Sequence, residues 1–146
     1  MTCSMKKAKQ VLHDGGHTFV LVCGEKQYTS MLTGIAPVLC IMKDSPELLI
    51  GATIADKVVG KSAALLFIFA GVSEVYADVI SLLALSELQD AGIKIKYSKK
   101  VPFIRNRSGT GMCPMEKSVV DISDPSEGFQ ILKKNGHRII YPMPVF

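Results

Sequence analysis

The chain has no tryptophan, and aromatic residues make up only 7% of its 146 positions. Its basic residues are dispersed and stand without interleaved rings, so the net charge of +4 does not read as a nucleic-acid surface. The four cysteines, Cys3, Cys23, Cys40 and Cys113, form no C-x-x-C pair. Their wide spacing argues against a disulfide framework and against a zinc site. Long hydrophobic runs are also missing. The longest, Ala63 to Val72, is too short to span a bilayer, and Glu74 follows it. The first ten residues carry lysines but no apolar core of a signal peptide, so a reducing cytoplasm is the expected compartment. What remains is an apolar-rich, mildly basic chain of a length that suits one domain, residues 1–146. Such a chain suits an anionic small molecule.

Periodicity and breakers give an order of elements. Lys6 to Asp14 reads as a helix stopped by Gly15-Gly16. Thr18 to Cys23 and Gln27 to Ser30 read as a hairpin, and Gly34 to Lys43 as a helix with Pro37 in its first turn. Leu48 to Ala55 has the pattern of a buried strand, with Asp56 capping a long apolar helix from Lys57 to Ala70. Glu74 to Ala77 follows as a strand and Val79 to Asp90 as a helix. Ile93 to Tyr97 alternates isoleucine and lysine, as a half-buried strand does. Helices from Pro114 to about Val120 and from Pro125 to Asn135 close the series, the second ended by Gly136, with a proline-broken tail from His137 to Phe146. Strand and helix units alternating in this way predict an α/β domain, three-layered, with helices on both faces of a mixed sheet.

The densest chemistry lies between Arg105 and Lys117. Arg105, Asn106, Arg107, Ser108, Thr110, Cys113 and Glu116 are set among two glycines, and Pro114 marks a helix start. Free N–H groups and the dipole at a helix start favour an anion or a thiolate, so Cys113 is a candidate nucleophile or redox thiol. None of the three histidines, His13, His17 and His137, is its neighbour in sequence. His13 and His17 flank a glycine turn and read as surface residues. A second stretch, Ala55-x-x-x-x-Gly60-Lys61-Ser62, fits a loose phosphate-loop pattern. Alanine replaces its first glycine and Val58-Val59 is stiff, so capping by Asp56 is the preferred reading. Asp78 and Ser81 fall in the expected first turn of the next helix, where both residue types cap well.

The order of elements is similar to the cytidine-deaminase-like fold. Two stretches, Asp56 to Leu66 and Val101 to Glu116, resemble a small family of uncharacterised bacterial proteins of that fold. The resemblance implies a pocket at two helix starts, Gly60 to Ala63 and Ala77 to Ser81. It also implies zinc, held by an H-x-E motif and a P-C-x-x-C motif. Lys61-Ser62-Ala63 has neither histidine nor glutamate, and Ala77 to Ser81 has no cysteine. Zinc-dependent deamination is therefore not expected, and neither is a metal or cofactor. The leading expectation is metal-free binding of a nucleotide-like or other phosphorylated small molecule. Lys61, Ser62, Asp78 and Ser81 would form the floor. Asn106, Arg107, Ser108, Thr110, Cys113 and Glu116 would close over it. Two alternatives stand beside it: a group-transfer enzyme using Cys113, and a non-catalytic interaction protein that forms a homo-oligomer. The all-round apolar helix after Lys61 motivates the latter.

Overall fold

A computed structural model describes residues 2–105 and 108–140, the last six of these by backbone alone. A five-stranded sheet runs through it in the order β2-β1-β3-β4-β5. The strands are β1 (Phe19–Cys23), β2 (Lys26–Ser30), β3 (Thr53–Val59), β4 (Glu74–Ser81) and β5 (Lys94–Val101). The β1–β2 and β1–β3 pairs are antiparallel, and β3–β4 and β4–β5 are parallel. All strands except β1 therefore point the same way. The helices are α1 (Cys3–Asp14), α2 (Ala36–Asp44), α3 (Lys61–Ala70), α4 (Leu82–Asp90), α5 (Pro114–Ser118) and α6 (Pro125–Ile140), with a 3₁₀ turn at Pro46–Leu49.

Two apolar layers hold this together. Met5, Ala8 and Leu12, at helical spacing on α1, pack with Val20, Val22, Ala55 and Tyr76 on one face of the sheet. The larger cluster on the other face joins Phe19, Leu21, Ile54, Val75 and Ala77 to α2, α3 and α4 and to Leu132 of α6. Every residue of α3 from Lys61 to Phe67 is buried. That accounts for its apolar sequence: α3 touches α2, α4, α5 and α6 as well as the sheet. Gly71 ends it at φ 85°, a left-handed turn that glycine adopts at little cost, and its N–H returns to Phe67 and Ile68.

Several expected boundaries move. Leu48–Leu49 belongs to the 3₁₀ turn, and β3 starts at Thr53 and continues past Asp56 to Val59. Asp56 is thus a buried strand residue and not a helix cap; Gly60 holds the cap position of α3. Strand β4 likewise runs on through Asp78 to Ser81, so Asp78 is not in the first turn of a helix. The cause is visible in the burial pattern. Lys57-Val58 and Asp78-Val79 are each pairs of more open residues between buried ones. They break the two-residue period that marks a strand, and they lie opposite each other in the parallel ladder. Strand β5 extends to Val101, and α6 passes through Gly136 to Ile140. The proline-broken tail beyond residue 140 lies outside the described residues. Among the described residues no helix is long and apolar enough to cross a membrane.

Candidate functional site

Helix α3 begins where β3 ends, and its cap residue, Gly60, has no side chain to offer. The first N–H groups of any helix lack partners within the helix, so an acceptor has to come from elsewhere. Glu116 supplies it. Its Oε1 accepts the Lys61 N–H at 2.6 Å and its Oε2 the Ser62 N–H at 3.1 Å. The Ser62 hydroxyl also donates to Oε2. The carboxylate is buried, and it sits on the positive end of a ten-residue helix. Gly60 is what lets it approach: a Cβ on that residue would overlap the carboxylate. The Lys61 side chain is also buried, and its Nζ donates to the Val120 carbonyl at 2.9 Å, just beyond α5. Residues 60–62 and 116–120 thereby clamp each other across more than fifty positions of chain.

Of the expected site residues, Lys61, Ser62 and Glu116 come together, with Cys113 three residues before the glutamate. Ser81, buried, caps α4 by accepting the Ala84 N–H at 3.1 Å. It follows Ile80, the ladder partner of Val59, so it lies beside the start of α3. Asp78 does not join them. It faces α1, where Oδ1 meets His13 Nε2 at 2.7 Å and accepts the Tyr76 hydroxyl at 2.8 Å. Burial first, and then Asp78, push the Tyr76 phenol up to about 12, so it remains a hydroxyl donor at physiological pH. The His13–Tyr76–Asp78 group was not legible in the sequence, because its members are brought together only by the packing of α1 on β4.

Two contacts join the ends of the loop before α5. Arg105 and Met112 form a bridge, and the Cys113 N–H bonds the Ile104 carbonyl at 2.9 Å. At its tip Ser108 and Thr110 are exposed and share a hydrogen bond of 2.8 Å. Asn106 and Arg107 lie outside the described residues. Cys113 makes no side-chain cap to α5, which is five residues long, and packs partly buried against the main core. Among the described residues, no three His, Cys, Asp or Glu side chains are placed to hold a metal ion.

Near this end of β3, burial raises the Asp56 carboxyl well above the ordinary carboxylate range, and Asp78 adds to the rise. The N–H groups of Val58 and Lys57 act the other way. A folded-state value above the unfolded one means that the native protein binds the proton more tightly. Its stability contribution is full below the unfolded value, about pH 4, and falls as pH rises toward the folded value. Asp56→Asn is therefore expected to be more stable than the parent at pH 7. Urea midpoints at pH 7 and near pH 4 should show that advantage shrinking at the lower pH.

A family model described as "TM1506: Domain of unknown function (DUF1893)" matches residues 7–135. The crystal structure of a DUF1893 family protein, TM1506, from Thermotoga maritima is similar over most of its length. Identity is 28%, the TM-score is 0.85, and the match covers 92% of this chain and 91% of that one. No curated protein matches the chain.

Proposed function

The chain belongs to the DUF1893 family, and from that premise we propose that it binds a nucleotide-like or other phosphorylated small molecule at the start of α3, in a cytidine-deaminase-like frame and without a metal. The observation that carries this reading is the seat of Glu116. Two main-chain N–H groups and one hydroxyl converge there on a single buried anion. A phosphate can use the same donors. The strand order, with β1 alone reversed and α3 and α4 following β3 and β4, supports the frame. The zinc that such a frame suggests does not fit here: Lys61, Ser62 and Ser81 stand at the two helix starts, and all are engaged in hydrogen bonds. Glu116 then acts as an internal occupant that the ligand displaces. Among the described residues none stands as a base beside Cys113, and the binding reading is preferred to group transfer.

The test is calorimetry with inorganic phosphate and with a nucleoside 5′-monophosphate, on the parent and on Glu116→Gln. Removing the resident charge should raise affinity at least about tenfold. A folded Glu116→Gln protein that binds neither probe overturns the reading.

A second reading, self-association, has its own support. Met31 and Leu32 follow β2, Val58 lies near the end of β3, Leu82 and Leu83 follow β4, and Phe103 follows β5. All six are exposed, Met31 by 64%. Because those four strands point the same way, one end of the sheet carries this apolar set, the kind of surface that marks an interface. Sedimentation velocity at micromolar concentration should show a dimer or larger species, and Met31→Glu with Leu82→Glu should dissociate it. A monomeric parent would remove this reading.

A further inference from the structure

At the other end of the sheet lies a cavity that this reading does not use. We propose that it binds a small zwitterion of the amino-acid class, with the ligand's ammonium group on Glu74 and its carboxylate on Lys94 and Lys96. The cavity measures about 440 Å³ and is lined by Thr2, Met5, Glu74, Lys94, Ile95 and Lys96. That volume falls within the roughly 300–1,000 Å³ typical of small-molecule sites. Glu74 opens β4 and Lys94 opens β5, so the cavity sits at the strand starts, away from Glu116 at the strand ends.

Its charges are the argument. Glu74 is only 5% exposed, yet it is a carboxylate. The Thr2 hydroxyl donates to its Oε1 at 2.5 Å and the Thr53 hydroxyl to the same oxygen at 2.7 Å. Hydroxyls orient a carboxylate but bring no opposite charge, and a buried charge without one is costly. Lys94 is the ladder partner of Glu74, and Lys96 lies two positions on, on the same face of β5. Neither forms an ion pair with Glu74 among the described residues. One cavity is thus lined by a carboxylate and two ammonium groups that do not meet.

A ligand carrying both charges a few ångströms apart completes both sets. A simple anion would face the Glu74 carboxylate, and a simple cation would face the lysines. The start of α1, next to Thr2, lies on the Glu74 side of the cavity, where its dipole offsets part of the carboxylate charge. Met5, buried at 2% exposure, gives the apolar part of the ligand a wall.

Thermal-shift measurement with each standard L-amino acid at about 10 mM is the first step, followed by calorimetry on the best of them. Its decarboxylated and deaminated analogues, each keeping one charge, are the controls. The expected result is saturable binding, at least about tenfold weaker for both analogues and about tenfold weaker for Glu74→Gln. Because Glu74 is buried, Lys96→Ala, at an exposed position, provides the independent variant; it should weaken binding several-fold with its circular dichroism unchanged. No shift with any amino acid overturns the proposal. Equal binding of a one-charge analogue, or full binding by Lys96→Ala, does so too. Neither result bears on phosphate binding at Glu116, which has its own probes and variant.

Discussion

Glu116→Ala is expected to destabilise the protein by about 3 kcal/mol, the sum of what several buried donors lose when their common acceptor is removed. The Lys61 and Ser62 N–H groups and the Ser62 hydroxyl all bond this one carboxylate, and the start of α3 is buried against the core. Water cannot replace the acceptor at no cost, because the site is closed by α5 itself. The charge matters as well as the hydrogen bonds: a carboxylate at a helix start gains from the dipole, and the alanine variant gives that up. Ser62→Ala removes one donor and leaves the two main-chain bonds in place, so it should cost about 1 kcal/mol. For a chain of this length the Glu116 variant should melt about 10 °C lower. Chemical denaturation of the three proteins checks the ranking. A Glu116→Ala loss no larger than that of Ser62→Ala would mean that the carboxylate does not anchor α3.

The same anchor shows what a sequence read alone can and cannot reach. The alternation of apolar strands and helices led to the correct class of fold, because burial on two faces imposes periods that are written locally. The sequence pattern puts the start of α3 four residues early, at Lys57 instead of Lys61, for a local reason too. Asp56 looks like a cap, and Val58-Val59 looks like the first turn of an apolar helix, but the ladder with β4 carries β3 on to Val59. Asp78 reads as a first-turn residue for the same reason, one position past Ala77, the ladder partner of Asp56. Its actual partner, His13, lies sixty-five positions earlier in the chain. No spacing rule links the two. The sequence marks Glu116 as part of the segment that closes the pocket, and its address on α3 is invisible for the same reason. One clue was present: a helix that starts after glycine has no cap of its own, so some distant acceptor is required. The stretch from Arg105 to Lys117 reads as the chemical centre because it concentrates polar groups, but its parts separate: Ser108 and Thr110 stand apart from Glu116. In the fold their hydroxyls bond each other at an exposed tip, and the buried contact belongs to the residues that follow.

Gly60→Ala should be nearly as damaging as the loss of Glu116, and the two effects should not add. Gly60 sits at φ −102° and ψ −177°, extended backbone open to any residue, so alanine meets no conformational strain there. The whole cost arises from the added Cβ, which would land on the Glu116 carboxylate. Either the carboxylate leaves its donors or the backbone shifts, and the expected loss is about 2–3 kcal/mol. In a Glu116→Ala background there is nothing left to strike. The same Gly60→Ala change should then be neutral or stabilise slightly, since alanine narrows the unfolded ensemble. A double-mutant cycle should thus return a coupling of about 2 kcal/mol or more. An equal cost in both backgrounds would show that Gly60 is needed for some other contact. The cycle also bears on binding, because the room that Gly60 leaves is the room a phosphate oxygen would take. If phosphate and Glu116 share one seat, Gly60→Ala must weaken phosphate binding even when the glutamate is gone. Tight phosphate binding by the double variant would place the anion somewhere other than the start of α3.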